Sequence, residues 1–372
     1  MSANAGGHRG GRIRVAVLFG GQSAEHDVSL RSAETVIGAL DPERYDVVKI
    51  GVTREGRWLT GGDPLRQLEA SSPLFSLGDG GDGVATADQT TIETAPSALP
   101  AGLDGEIDVV FPVLHGPMGE DGTVQGMLEL AGLPYVGSGV LGSALAMDKA
   151  MAKTVLAQAG LPQVPWRLIE RREWQRDPGH VTEWVADRFG FPVFVKPANM
   201  GSSVGVFKAR DAGELPAAMT GAARFDRRLV IEQGIDAREL ECAVLGNDEP
   251  IASVVGEIVP GREFYDYEAK YVDDRSRSII PAELDGEELV YVQELAITSF
   301  QALDLAGMAR VDFFLDRRTD QIYVNEVNTI PGFTAISMYP MLWEATGLPT
   351  PELVDRLIGL ALGRFGERQR SA

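Results

Sequence analysis

Apolar and polar residues alternate along two runs near the C-terminal end, residues 309–315 (Ala-Arg-Val-Asp-Phe-Phe-Leu) and 322–328 (Ile-Tyr-Val-Asn-Glu-Val-Asn). A period of two is the mark of a half-buried strand, and the polar stretch 316–321 between the runs predicts a turn that closes them into a hairpin. One face of that hairpin would carry Arg310, Asp312, Glu326 and Asn328. By pattern alone this is either a solvated acidic face or a site for a hard cation, since Mg²⁺ takes oxygen ligands in octahedral geometry.

The same reading extends along the chain. A buried strand from Arg14, a glycine turn and a helix to about Leu40 open it as an α/β sheet would, with further strands over 46–52 and 109–114. Ligands in open α/β sheets gather at the carboxyl ends of the strands, where Glu25 and His115 lie. Residues 60–106 are rich in Gly, Asp, Ser, Thr, Ala and Pro without a sustained period and are expected to be an insertion or surface excursion. Helices are predicted over 121–131 and 148–159, the second with Lys149 and Lys153 on one face, and over 182–189. Strands over 191–197 and 204–208 flank the loop 198–203, and strands over 229–232, 239–245 and 251–258 precede the hairpin. Helices over 287–303 and 351–365 would cover this part.

Composition narrows the chemistry. The 372 residues, 44% hydrophobic, suffice for two or three domains, and no apolar run approaches a membrane span or a signal core, so a cytoplasmic protein is expected. A formal charge of −20 opposes binding to nucleic acid or an anionic membrane. The single cysteine, Cys242, reads as a core residue, and the four histidines lack His-Glu-x-x-His spacing, which argues against a zinc enzyme. The loop Ala198-Asn-Met-Gly-Ser-Ser203 is either a flexible turn or a phosphate loop, and the nearby Lys196 and Lys149 favour the second. Neither a Walker A sequence nor a Gly-x-Gly-x-x-Gly fingerprint occurs.

Seven motifs in order resemble those of the D-alanine:D-alanine ligases of the ATP-grasp superfamily. They are Gly20-Gly-Gln-Ser-Ala-Glu-His-Asp-Val-Ser-Leu30, Leu114-His-Gly-Pro-Met-Gly-Glu-Asp-Gly-Thr-Val-Gln-Gly-Met-Leu-Glu-Leu130, Met147-Asp-Lys149, Val195-Lys-Pro, Gly201-Ser-Ser-Val-Gly205, Phe264-Tyr-Asp-Tyr-Glu-Ala-Lys-Tyr271 and Asn325-Glu-Val-Asn-Thr-Ile-Pro-Gly-Phe-Thr334. The resemblance implies a three-domain fold: an N-terminal open parallel α/β sheet over 12–137, then two α+β halves clamping ATP, over 138–230 and 231–372, while composition makes 1–11 a disordered segment. It implies ligation of two D-alanines through an acyl phosphate and a tetrahedral intermediate, for peptidoglycan synthesis.

The family's roles then fall on particular residues. Glu25 would hold the first ammonium, with His115 near that substrate and Glu120 behind it. Ser202 and Tyr271 would join Glu25 in a hydrogen-bonded group tying the lid loop to the N-terminal domain. Lys149, Lys196 and Lys270 would hold phosphates, with Ser202 and Ser203 in the same loop. Asp312, Glu326 and Asn328 would hold two Mg²⁺ or Mn²⁺ ions, with room for K⁺ as an activator. Arg310 and the Gly332 N–H would stabilise the acyl phosphate and oxyanion, and Ser337 with Met338 would receive the second D-alanine.

Adenine would lie against Glu232, Gln233 and Ile235, with Phe314 also on the nucleotide and Glu239 on the ribose; Gln233 stands where the family often has lysine. Tyr271 favours D-alanine over D-lactate as second substrate. The alternatives are a D-alanine:D-serine or D-alanine:D-lactate ligase and a non-enzymatic ATP-binding member, which would lack acidic ligands or Arg310. The excursion 60–106 is expected to be peripheral, shaping the surface of a homodimer.

Overall fold

The structure is a computed structural model that describes residues 11–72, 91–93, 107–259 and 277–371. The expected disordered segment 1–11 lies outside these except for Gly11, as do most of the excursion and the motif that carries Lys270 and Tyr271.

Strands β1 (Ile13–Gly20), β2 (Tyr45–Val52), β3 (Trp58–Thr60), β4 (Thr91–Glu93) and β5 (Val109–Pro112) form the first sheet in the order β4-β3-β2-β1-β5. β1 lies parallel to both β2 and β5, as the α/β reading expects, while β3 and β4 extend the sheet antiparallel at one edge. Val15, Val17 and Phe19 are fully buried on one face and Ala16 and Leu18 on the other, which explains why β1 reads as a continuous apolar run. The excursion is not wholly irregular. Its start forms a helix, Pro64–Ala70, opened by Pro at the first turn and by Asp63 accepting from the Arg66 N–H, and its residues 91–93 supply β4.

The second sheet runs β6 (Trp166–Glu170), β9 (Arg228–Gln233), β7 (Val193–Pro197), β8 (Phe207–Ala209) in space and is antiparallel throughout. Its core is its own: Val193, Val195, Leu229 and Ile231 pack against Val181, Val185, Leu215 and Met219 from helices Pro178–Arg188 and Leu215–Ala222.

The third sheet comprises β10 (Ala237–Gly246), β11 (Ile251–Val259), β12 (Arg277–Ile279), β13 (Gly307–Asp316) and β14 (Ile322–Asn328), in the order β12-β11-β10-β13-β14. Helix Gly286–Ala302 covers one face; it starts with a capping box in which Asp285 accepts from the Glu287 and Glu288 N–H groups and Glu288 accepts from the Asp285 N–H. Cys242 lies under that helix, fully buried, and burial pushes its thiol up to about 12.

The first and third sheets share a core. Phe111 meets Phe333 edge to face at 6.1 Å between centroids, and Phe333, Tyr339, Trp343 and Leu353 pack with Val15, Val17 and Phe19. The C-terminal helix Thr350–Ser371 reinforces the join through Asp355 on the Tyr45 hydroxyl and Arg364 on the Tyr135 carbonyl and ring. No helix among the described residues is long and apolar enough to cross a membrane.

Candidate active site

The hairpin forms as the alternation predicts, with one departure that aims its polar residues. On β13 the side chains of Val311, Phe313 and Leu315 are at most 3% exposed, while Arg310, Asp312 and Phe314 face the other way and are partly buried. Strict alternation on β14 would turn Glu326 and Asn328 inward with Ile322 and Val324. A bulge at Asn325 prevents this: Asp312 pairs with Glu326 but Phe313 with Val324, so Asn325 is the extra residue. Val327 is then buried opposite Val311, while Glu326 and Asn328 stand opposite Asp312 and Arg310.

These groups are closely bonded. The Arg310 guanidinium grips Asp312 with both limbs, at 2.7 and 2.8 Å, and its Nε is also 2.9 Å from Glu241 Oε2. The Asn328 amide donates to Asp312 at 3.0 Å. Among the described residues, no three His, Cys, Asp or Glu side chains lie close enough to hold a metal alone. Two carboxylates and an amide are nonetheless the hard oxygen donors that suit Mg²⁺ when nucleotide phosphates complete its shell.

Glu25 stands at the N-cap position of helix His26–Ala39 but does not cap it. Its carboxylate instead accepts a short hydrogen bond from the Ser202 hydroxyl, which joins the first domain to the loop of the second. Close approach is possible because Gly116 and Gly201 flank the carboxylate: a Cβ on either would lie 3.0 or 3.1 Å from Glu25 Oε2. Ser202 and Ser203 take φ of 47° and 58°, a left-handed conformation uncommon outside glycine that costs of order 1–3 kcal/mol each. Lys149 donates to the Met200 carbonyl in the same loop.

His115 is buried and bridges two domains. Its Nδ1 lies 2.9 Å from the Ile330 carbonyl, which can only accept, so the proton sits on Nδ1 and Nε2 accepts from the Ser32 hydroxyl at 3.2 Å. Burial holds its pKa below the usual value, with Glu25 opposing and Arg310 adding to the effect. Glu120 spans the same gap, accepting from the Gly116 N–H at 2.7 Å and the Ile330 N–H at 3.1 Å. Burial, then the nearby Glu25, push its carboxyl up to about 8, against the pull of those two N–H groups. Both residues therefore feel Glu25 and Arg310 together, the two ends of the expected site.

Lys196 reaches Glu232 at 2.6 Å and Asn325 at 3.5 Å, and Glu239 and Glu326 bear on it electrostatically. Gln233 turns its side-chain amide to the Phe189 carbonyl at 2.8 Å, and Ile235 follows it, partly buried. Glu239 lies on β10 beside Phe314 of β13. Gly332 lies against Ser337, whose hydroxyl accepts from the Thr334 N–H at 3.0 Å. The Met338 side chain is 4% exposed and packs in the shared core, at the start of helix Met338–Ala345. Lys270 and Tyr271 lie outside the described residues.

Two groups were not among the expected site residues. Lys153, 2% exposed, forms an ion pair with Glu232 at 3.1 Å, and Glu241 pairs with Arg310. The sequence signals were present, a lysine one helical turn after Lys149 and a second glutamate on the Glu239 face of β10. A cavity of about 450 Å³ lined by Pro162, Glu287, Tyr291 and Tyr323 contains none of the site residues.

Residues 14–138 match the D-ala D-ala ligase N-terminus family and residues 155–359 the D-ala D-ala ligase C-terminus family. The D-alanine–D-alanine ligases of Heliobacterium modesticaldum and Geobacillus kaustophilus are 48% and 49% identical, each over 96% of this chain and 97% of theirs. Among solved structures, the D-alanine-D-alanine ligase of Coxiella burnetii superposes with a TM-score of 0.79 at 36% identity, covering 97% of both chains. The VanG D-Ala:D-Ser ligase of Enterococcus faecalis reaches 0.78 at 35%, covering 94% of this chain and 99% of its own. With both family models matched along most of its length and relatives 48–49% identical over 96% of it, the chain belongs to the D-alanine–D-alanine ligase family.

Proposed function

We infer that the protein joins two D-alanine molecules into D-alanyl-D-alanine at the expense of ATP, releasing ADP and phosphate, as a step of peptidoglycan synthesis. The observation that carries this reading is the Glu25–Ser202 contact, which brings a carboxylate of the first domain and the loop of the second to the same place, within electrostatic reach of Arg310 through their shared neighbours His115 and Glu120.

The chemistry follows from what each group can do. Glu25 holds the ammonium of the first D-alanine, so that its carboxylate points at the γ-phosphate. A carboxylate oxygen attacks phosphorus, ADP leaves, and an acyl phosphate forms. Transfer between two anions depends on positioning and charge neutralisation. Lys149, Lys196 and Lys270 supply positive charge, and the N–H groups around Ser202 and Ser203 line the phosphates. The amine of the second D-alanine, once deprotonated, attacks the acyl carbon; phosphate leaves as the amide forms. Arg310 and the Gly332 N–H stabilise the oxyanion on the way, and the Ser337 corner receives the second carboxylate. Asp312, Glu326 and Asn328 fit two Mg²⁺ ions, with Mn²⁺ as substitute, which would neutralise charge on the ATP phosphates. Glu232, Gln233, Ile235, Phe314 and Glu239 enclose adenine and ribose.

The likeness to a D-Ala:D-Ser ligase leaves a second reading, in which D-serine is the second substrate, but the curated relatives at 48–49% identity favour D-alanine. We place the enzyme in the cytoplasm, where ATP is available, as a homodimer joined through the first domain. Phosphate release from ATP with D-alanine, L-alanine, D-serine or D-lactate, together with the mass of the product, tests the assignment. D-alanine alone should give rapid release and the homodipeptide. A mixed product with D-serine in preference would move the assignment to the second reading, and release without any dipeptide would remove it.

A further inference from the structure

Behind the expected phosphate site lies a buried cluster in which one carboxylate meets two ammonium groups. Glu232, 2% exposed near the end of β9, takes Lys196 of β7 on Oε2 at 2.6 Å and Lys153 of helix Lys149–Gln158 on Oε1 at 3.1 Å. Lys196 is 12% exposed and reaches on to Asn325 beside the metal-ligand strand, whereas Lys153 is 2% exposed and lies behind the carboxylate. Burial alone would raise the Glu232 pKa, yet the two lysines hold it down to about 2. For Lys196, burial is outweighed by Glu232 and Glu326 and its pKa rises; for Lys153, burial prevails and its pKa falls.

A buried charge without a counter-charge is costly, and a single Glu232–Lys196 pair would be electrically complete. The second lysine changes the balance. Helix Lys149–Gln158 is fixed at its start, where Asp148 accepts from the Met151 N–H and pairs with Arg228 of β9, so Lys153 is carried to Glu232 by a rigid element. We propose that Lys153 is a positioning residue for the nucleotide: it pairs with Glu232 from behind, so that Glu232 no longer cancels the positive charge that Lys196 presents to an ATP phosphate. The proposal rests on the reading that ATP occupies this cleft. It accounts for a lysine on the buried face of its helix, beside Ala150, Ala152 and Leu156.

The test is equilibrium binding of ATP and of adenosine to the full-length protein without D-alanine, for the wild type, K153M, K153R and the double variant K153M/E232Q, with thermal melts of each. K153M should weaken ATP about tenfold, the order expected for one unit charge ~10 Å from a phosphate at an effective dielectric near 20, and leave adenosine unchanged. K153R should bind ATP as the wild type does. The double variant removes the carboxylate together with its rear partner and should recover the wild-type ratio of ATP to adenosine affinity, the ratio being the readout because Glu232 also borders the adenine. ATP binding in K153M equal to wild type, an equal loss for adenosine, or a double variant whose ratio is no higher than that of K153M would overturn the proposal. If K153M alone does not fold, the double variant carries the test: an ATP-to-adenosine ratio close to wild type supports the proposal, and a loss of tenfold or more in that ratio contradicts it. A wild type that binds neither ATP nor adenosine would instead count against the ligase reading itself.

Discussion

The first and third sheets and the second sheet are built on different terms. The first and third share one core through Phe111, Phe333, Tyr339 and Trp343, and two buried polar bridges cross between them: His115 to Ile330, and Ser32 to the Phe333 N–H at 3.1 Å. The second sheet closes over its own core and meets the rest through polar contacts, Ser202 on Glu25, Lys196 on Asn325 and Arg228 on Asp148, and a small apolar seam at Ala150, Ala198 and Val230. Glu25, Arg310, Asp312 and Glu326, the residues proposed to hold the reacting carboxylate and metal, stand on the fused body. The loop glycine and serines and Lys196 stand on the separate lobe. The separate lobe is thus tied to the fused body largely by hydrogen bonds and ion pairs, the buried Glu232–Lys153 pair among them.

The largest effect that sharpens this contrast is on the fused wall. Glu326→Gln should lower turnover about a thousandfold while the thermal midpoint stays nearly unchanged, since the side chain is a partly exposed ligand on a well-packed strand; kinetics and calorimetry on one preparation would check it. A core pair comes next. Trp343→Ala should cost about 3–5 kcal/mol and loosen the first and third sheets together, whereas Met219→Ala should cost about 2–5 kcal/mol and expose only the second lobe. Hydrogen exchange read by peptide would distinguish them, and a Trp343→Ala variant whose first sheet keeps full protection would break the claim of a shared core.

A pH effect follows from Glu120. Its ordinary value of 4.5 is raised to about 8, so its contribution to stability is fully present below about 4.5 and is lost as pH rises through about 8. Glu120→Gln should therefore flatten the decline of stability between those limits in urea titrations. The smallest effect belongs to the rim of the join. Arg368 pairs with Glu129 but is 61% exposed, and Arg368→Ala should change stability by less than about 1 kcal/mol.

Much of this division was legible in the sequence because burial on one face imposes a period. β10 and β13 were found that way, as was the polar face of the hairpin, while β1, buried on both faces, was legible as a continuous apolar run. The helix Met338–Ala345 was not, since it is buried around most of its surface and shows no stripe, and β6 escaped because Trp166, Arg167 and Leu168 are all half-buried. The bulge at Asn325 was illegible for another reason: which residue is extra depends on the partner strand. Site chemistry divided likewise. Alternation placed Arg310, Asp312, Glu326 and Asn328 on one face, and the family resemblance singled out Glu25, but the burial of Lys153 depends on Glu232, far off in sequence, and the protonated nitrogen of His115 on the carbonyl of Ile330.

The central claim is that Glu25 and the Arg310–Asp312–Glu326 wall enclose one site in which a D-alanine carboxylate takes the γ-phosphoryl group. Turnover of D-alanine labelled with ¹⁸O in its carboxylate measures this directly. If an acyl phosphate forms, one labelled oxygen per turnover must appear in the released phosphate, and the peptide carbonyl must keep the other. Phosphate that carries no label while labelled dipeptide accumulates would contradict the account.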